Sequence, residues 1–488
     1  TNVTVSAALA NVTSTAGNSV GVLGAGSNSP VTWTNVTVSA ALANVTSTAG
    51  NSVGVLGAGS NSPVTWTNVT VSAALANVTS TAGNFVGVLG AASNSGGVNW
   101  TSVTVSAVHS EVTSAAGNLL GVLGAASYYS DVNWTSVTVS AVHSKAISVA
   151  NDGVGFFGAG SYYSAVNWTN VSVSAAVTVV TSTARDVVSV LGVASNAGVS
   201  WANVSVSASL VDLTSIAGSW VGVLGAGNNR HSDVRWTNVN VCVVIANVTS
   251  TAGYDVGVLG AGSGSGVNWT NVNVSATSAN VTSNATGNRV GVLGAGSIAT
   301  VSWTNVNVSA ALINVKSTAG HYVGILGAGS SVTGSWTNVA VSILLANITS
   351  AAYECVGILG AGSTVASWMN VSVSALLASI ASTAGNDVGI LGAGSSNGVS
   401  WTNVTICAVL AHVASTARAW AGVLGTGSIR DMSWTNVTVS ATLANVTSSA
   451  TDYVGVLGAG CYYSVSWTNV TVSWTPRSPA GRRRCPAS

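Results

Sequence analysis

Branched aliphatics and small polar residues alternate in the heptapeptide Trp33-Thr-Asn-Val-Thr-Val-Ser39. Val36 and Val38 fall on one side, and Asn35, Thr37 and Ser39 on the other. Strict alternation is the period of a half-buried β-strand. The heptapeptide returns with small changes at Trp66, Trp100, Trp134, Trp168, Trp201, Trp236, Trp269, Trp303, Trp336, Trp368, Trp401, Trp434 and Trp467, at intervals of 32 to 35 residues. Comparing copies within the chain sharpens the pattern. The position of Val36 is Val in every copy, and that of Val38 is Val except at Ile406. The position of Thr37 holds Thr, Ser or Asn, except at Ala340. One side accepts only branched aliphatics and the other mainly small polar groups, which separates an interior from a solvent face.

Two further segments complete the unit. Ala43-Asn44-Val45-Thr46-Ser47 repeats the alternation more weakly, with its central aliphatic recurring as Val12, Val112, Leu213, Val281, Ile348 and Ile380. Thr-Ala-Gly-Asn then signals a turn. The third segment, Val53-Gly-Val55-Leu56-Gly-Ala-Gly, keeps its Leu in nearly every copy, with Phe157 as a replacement. A stretch of variable length, as expected of a loop, leads to the next Trp. Helices fit poorly, because the segments are rich in Val and Thr, poor in Lys, Glu and Gln, and have period two. An ankyrin repeat has a similar length, but its Thr-Pro-Leu-His signature is absent, as is the leucine-rich consensus.

Three strands joined by turns and copied about fourteen times predict an all-β fold, a parallel β-solenoid in which each copy is one coil. Like segments would stack about 4.8 Å apart. The five or so aliphatics of one coil contribute about 8 to 15 kcal/mol, while ordering some 33 residues costs about 1 to 2 kcal/mol each. An isolated coil is therefore unstable, and stacking must supply the rest.

Composition narrows the function classes. Charged residues make up 5% of the 488 residues and the net charge is +1, so no global field attracts nucleic acid or an anionic membrane. Mean hydropathy is +0.53, yet polar residues interrupt the apolar runs before they reach membrane-spanning length, so no transmembrane helix is expected. The first copy is entered one residue late and lacks an initiator Met, which suggests a fragment or a processed product. Cys242 and Cys407 share a repeat position five copies apart, too far to bridge in a stack. With Cys355, Cys461 and Cys485 they read as isolated thiols without metal spacing.

The three-segment coil, aliphatic interior and Asn column resemble the right-handed parallel β-helix of the pectin-lyase-like class. The Val/Thr/Ser-rich, Trp-punctuated copies also resemble the dispersed-gene-family surface proteins of parasitic protozoa. The likeness spans residues 1–474. Residues 475–488 form a basic tail (Arg482, Arg483, Arg484) expected to be disordered and solvated.

Candidate sites follow from the columns that stacking would create. Asn35, Asn68, Asn203, Asn238, Asn271 and Asn305 are expected to form an amide ladder, although several also head N-glycosylation sequons. Glycans there would crowd, being wider than the strand spacing. Further acceptors are Asn11, Asn44, Asn77, Asn247, Asn280, Asn347 and Asn445, and Asn99, Asn133, Asn167 and Asn268 beside the Trp. Simple parity points the Trp column outward with Asn35 and Thr37. The competing arrangement puts each indole at a corner, stacked on the next. Tyr128, Tyr129, Tyr162 and Tyr163 would form an aromatic ligand-contact patch, and Tyr462 and Tyr463 repeat the pair. Charges gather before the third strand: Asp152, Asp186, Asp255, Arg289, His321, Glu354, Asp387 and Asp452. They suggest a column of mixed sign and show no convergent catalytic cluster. Of the five His (His109, His143, His231, His321, His412), His109 and His143 would meet in adjacent coils without a third metal ligand. Leu-Gly-Ala-Gly-Ser lacks the Lys of a phosphate loop.

The expectation is a non-enzymatic, extracellular or cell-surface glycoprotein, a stalk or adhesive region with no metal or cofactor. Its partners would be glycans or host or cell-surface proteins. The alternatives are an ice- or ordered-water-binding solenoid built on Thr37, Thr70, Thr104 and Thr138, and a non-catalytic fragment of a glycan-processing β-helix enzyme.

Overall fold

The computed structural model describes residues 2–161, 163–195, 197–228, 233–263, 265–297, 299–326, 328–330, 333–359, 361–362, 365–395, 398–424, 426–428, 431–457, 459–461 and 464–476. Contacts divide the chain into two compact units, Thr1–Val258 and Leu259–Ser488. Nothing in the repeat pattern marks this division. Each unit is an all-β parallel solenoid, and no helix occurs among the described residues.

One coil of the first unit contains a long strand Val31–Ala49, a middle strand Ser52–Val55 and a short strand Ala58–Ser60. A coil of the second unit repeats the plan with Val301–Ala319, Tyr322–Gly324 and Ala328–Ser330. Three strands per coil is the expected number, but the boundaries differ. The first two sequence segments fuse into one bent strand, and the third segment divides in two. Each strand pairs in parallel with its copy in the next coil, Val36 on Val69 and Val306 on Val339. The last long strand reaches Thr475 and Pro476, which pair with Thr442 and Leu443. The order therefore extends two residues into the segment read as tail; residues 477–488 lie outside the described residues.

The long strand turns corners without losing its pairing. Asn35 has φ +53° and Asn44 φ +51°. Left-handed backbone is least costly for Gly and, among other residues, for Asn. Each corner adds one residue, as a bulge does, and so exchanges the inward and outward sides. Val31 and Trp33 point inward before the first corner. Val36, Val38, Ala40 and Leu42 do so between the corners, and Val45, Ser47 and Ala49 after the second. The Trp column is thus interior. Trp66, Trp100 and Trp134 are fully buried, with successive rings stacked 4.8 Å apart and within 3° of parallel. In the second unit Trp269 through Trp434 stack at 4.7 to 4.9 Å, and Trp467 is half-exposed. Outward projection from simple parity fails because the corner at Asn35 flips the sides.

The remaining wall is built by backbone proximity. A Cβ on Gly54 would lie 2.2 Å from the Ala25 carbonyl oxygen, and one on Gly57 would lie 2.5 Å from the Gly90 carbonyl oxygen. Gly at these positions lets the middle and short strands approach this closely, and one copy carries Ser189 in the column of Gly54 instead.

Candidate functional site

The first unit carries an aromatic patch on the loops after its short strands. Tyr129 and Tyr163 are more than half-exposed or nearly so, at 57% and 50%, and stack 5.4 Å apart within 3° of parallel. The loops hold these rings in step because Tyr129 N–H donates to the Asn94 carbonyl and Tyr163 N–H to the Tyr128 carbonyl. Tyr128 stands edge-on to both, at 4.6 and 5.2 Å, and packs on Phe85, Ala92, Leu119 and Ala126. Tyr162 lies outside the described residues, as do Tyr462 and Tyr463.

Charge adjoins this patch. Arg185 Nη2 lies 2.7 Å from Asp152 Oδ1 and 3.0 Å from Asp186 Oδ2. Burial, followed by the charges and hydrogen bond of Tyr163 and by Asp152, raises the Tyr128 hydroxyl far above the usual phenol range. Burial also raises the Asp152 carboxyl, against the lowering effect of Arg185. The result is a partly desolvated surface with two carboxylates, one guanidinium and aromatic walls. It can stack on a ring and offer hydrogen bonds to polar groups around it.

The charges read as one column separate into two, offset by one residue. Asp152 and Asp186 sit at the corner before the middle strand, as do His321 and Glu354. Asp255, Arg289 and Asp387 lie on the strand itself and are buried. In the second unit this strand column runs Arg289, Tyr322, Cys355, Asp387, Trp420, Tyr453. Burial is not confined to the strand column, since Asp186 at the corner is buried as well. Cys355 donates its thiol to Asp387 Oδ2 at 3.7 Å. Burial and the nearby Asp387 and Glu354 carboxylates raise the thiol well above its ordinary value, which keeps it protonated and a poor nucleophile. Burial lifts Asp387 to about 8 despite that hydrogen bond. Beside them Glu354 pairs with His321 Nδ1 at 2.9 Å and accepts the Tyr322 hydroxyl. Asp452 lies exposed at the corner position.

His109 and His143 occupy the interior position held by Leu42 and Leu75, and stack 4.1 Å apart against Phe156 and Phe157. All four ring nitrogens are buried without hydrogen-bond partners. No group of three His, Cys, Asp or Glu able to hold a metal occurs among the described residues. His231 lies outside them.

Both Asn columns form amide ladders. Asn68 donates to Asn35 at 3.0 Å and Asn238 to Asn203 at 2.9 Å, and in the second unit Asn305 donates to Asn271 at 3.0 Å. The acceptors read as glycosylation candidates behave alike: Asn44 donates to Asn11, Asn77 to Asn44, and Asn347 to Asn314. Asn280 accepts from Asn314, Asn247 donates to Asp212, and Asn445 meets His412. Asn133 and Asn167 continue a ladder beginning at Asn99. Cys242 and Cys355 are free thiols. Cys407 is disulfide-bonded and so not isolated, while the side chain of Cys461 and all of Cys485 lie outside the description.

One interior column escaped the sequence reading. Ser47, Ser80, Ser114 and their successors point inward, fully buried, on the strand after the second corner. The signal was present, since this position is Ser in every copy while its outward neighbour Thr46 becomes Ile147, Lys316, Ala381 or Ala414. No helix among the described residues is long and apolar enough to cross a membrane. No protein-family model, curated protein or solved structure matches the chain.

Proposed function

We propose that this chain is a non-enzymatic repeat region of a cell-surface or secreted protein, a stalk bearing an adhesin-like binding surface for glycans or host-surface proteins. The observation that carries this reading is the Tyr128–Tyr129–Tyr163 patch with Asp152, Arg185 and Asp186. It gathers three rings, two carboxylates and one guanidinium, and Tyr supplies large contact area at low cost in conformational entropy. Exposed ring faces suit the apolar faces of sugars, and the flanking charges suit their hydroxyls. The resemblance of the copies to dispersed-gene-family surface proteins and the density of sequons support an extracellular site. Binding to a panel of immobilised glycans and surface glycoproteins tests the proposal. The Tyr129→Ala, Tyr163→Ala double variant should lose binding while keeping its circular dichroism. No binding by the parent chain, or equal binding by the variant, overturns it.

A second reading, an ordered-water or ice-binding face, is favoured by one observation. Thr13, Thr46 and Thr79 stand in parallel register beside Thr15, Thr48 and Thr81. The ranks break at Ile147 and at Ala115. A thermal-hysteresis assay decides, and the absence of activity removes this reading.

A further inference from the structure

The interior is not uniformly apolar. In the first unit Ser47, Ser80, Ser114 and so on to Ser250 are no more than 1% exposed, and their hydroxyls have no hydrogen-bond partner. In the second unit the column from Ser283 to Ser415 is likewise buried and unpartnered. Indole N–H groups such as those of Trp100, Trp134 and Trp336 are also buried and unpartnered. Buried polar groups are almost always satisfied, and an unsatisfied one demands an explanation. Packing does not explain the choice of Ser, because Ala would fill nearly the same volume without a hydroxyl to desolvate. Yet Ser occupies this position in all fourteen copies, whereas the adjacent outward position drifts. The hydroxyl itself is therefore what the position retains.

Direct Ser-to-Ser bonding is ruled out by geometry. Strands stack about 4.8 Å apart, well beyond the roughly 2.8 Å of an O–H···O bond. One oxygen placed between two such hydroxyls, about 2.8 Å from each, subtends an angle of about 120°. That angle is close to what a water molecule adopts between two partners.

We infer that each unit encloses a file of ordered water along its serine column, about one molecule per coil. The ligand of this interior site is water itself, held by hydroxyls on successive coils. The density agrees with the usual frequency of about one buried water per 27 residues, since a coil has roughly 33. The file makes the hydrogen bonding of each coil depend on its neighbours, which adds a polar column to the aliphatic one.

Oxygen-17 magnetic relaxation dispersion on the full chain counts long-lived internal waters. The expected count is on the order of a dozen, one per buried serine. The triple variant Ser114→Ala, Ser148→Ala, Ser182→Ala should lose about three of them, with its circular dichroism unchanged. A parent chain with no long-lived waters overturns the inference, and so does a triple variant with the parent's count. If the triple variant fails to fold, the parent count and neutron diffraction along the serine column decide in the same way.

Discussion

The buried His109–His143 pair makes this solenoid acid-labile at a definite place. Both rings are 2% exposed, and no acceptor awaits a second proton on either. Burial lowers the His143 pKa from 6.5 to about 3, and burial together with the neighbouring His143 lowers that of His109 well below its usual value. Above pH 6.5 both rings are neutral whether the chain is folded or unfolded, and the full stability is present. Below pH 6.5 the unfolded chain takes up protons that the folded chain refuses. Stability therefore falls by about 1.4 kcal/mol per pH unit for each ring. For His143 the total loss by about pH 3 is on the order of 5 kcal/mol, because its pKa moves from 6.5 to about 3. That is comparable with the whole stability of many domains, and it is concentrated on two adjacent coils. Hydrogen exchange, corrected for intrinsic rates, should show Val98–Ala116 and Val132–Ala150 losing protection between pH 6 and pH 4, before the rest of the first unit. The double variant His109→Leu, His143→Leu restores the residue found at Leu42 and Leu75 and should abolish this step. Identical acid profiles for parent and variant, or His109 or His143 imidazole signals titrating near pH 6.5 in the folded chain, would refute the reasoning.

Three further outcomes follow from the stacked geometry. Asn68→Ala should cost about 2 kcal/mol, combining left-handed strain with loss of a ladder bond. Asn68→Gly should cost less because Gly adopts φ +53° freely, and urea denaturation of the two variants measures the difference. Gly87→Ala places a methyl 2.3 Å from the Ala58 carbonyl oxygen. It should destabilise by about 3 kcal/mol or more, seen as lost soluble yield and a lowered melting temperature. Trp134→Ala removes a fully buried indole stacked between Trp100 and Trp168 and should cost about 3 to 5 kcal/mol, with a reduced near-ultraviolet dichroism signal.

The candidate site was only partly legible in the chain. Adjacent Tyr residues in successive copies were enough to place Tyr129 against Tyr163, because the register of a solenoid carries equal positions onto each other. The Arg185 bridge to Asp152 and Asp186 was not legible, since it depends on which side chains reach across a corner. The charges before the third strand looked alike in sequence. A displacement of one residue leaves Asp152 at the corner and Asp387 on the strand, where it is buried.

The repeat by itself determined the architecture of each unit. Val at the positions of Val36 and Val38 leaves one apolar side per strand, and identical copies satisfy both their backbone and their ladders only by lying in register. The tertiary structure alone decided the backbone state at the corners. Asn44 is left-handed, but Asn247 is not, because its backbone pairs with Asp212 in a column that begins at Glu111. The heptapeptide Gly54-Val-Leu-Gly-Ala-Gly-Ser60 recurs unchanged at Gly291–Ser297. Leu56 has φ +58° and donates to Val22 in the preceding coil, whereas Leu293 lacks positive φ and donates to Ile325 in the following one. One sequence thus takes two corner conformations, because each coil hydrogen-bonds to the conformation of its neighbour, and that coupling lies between coils and not within any one of them.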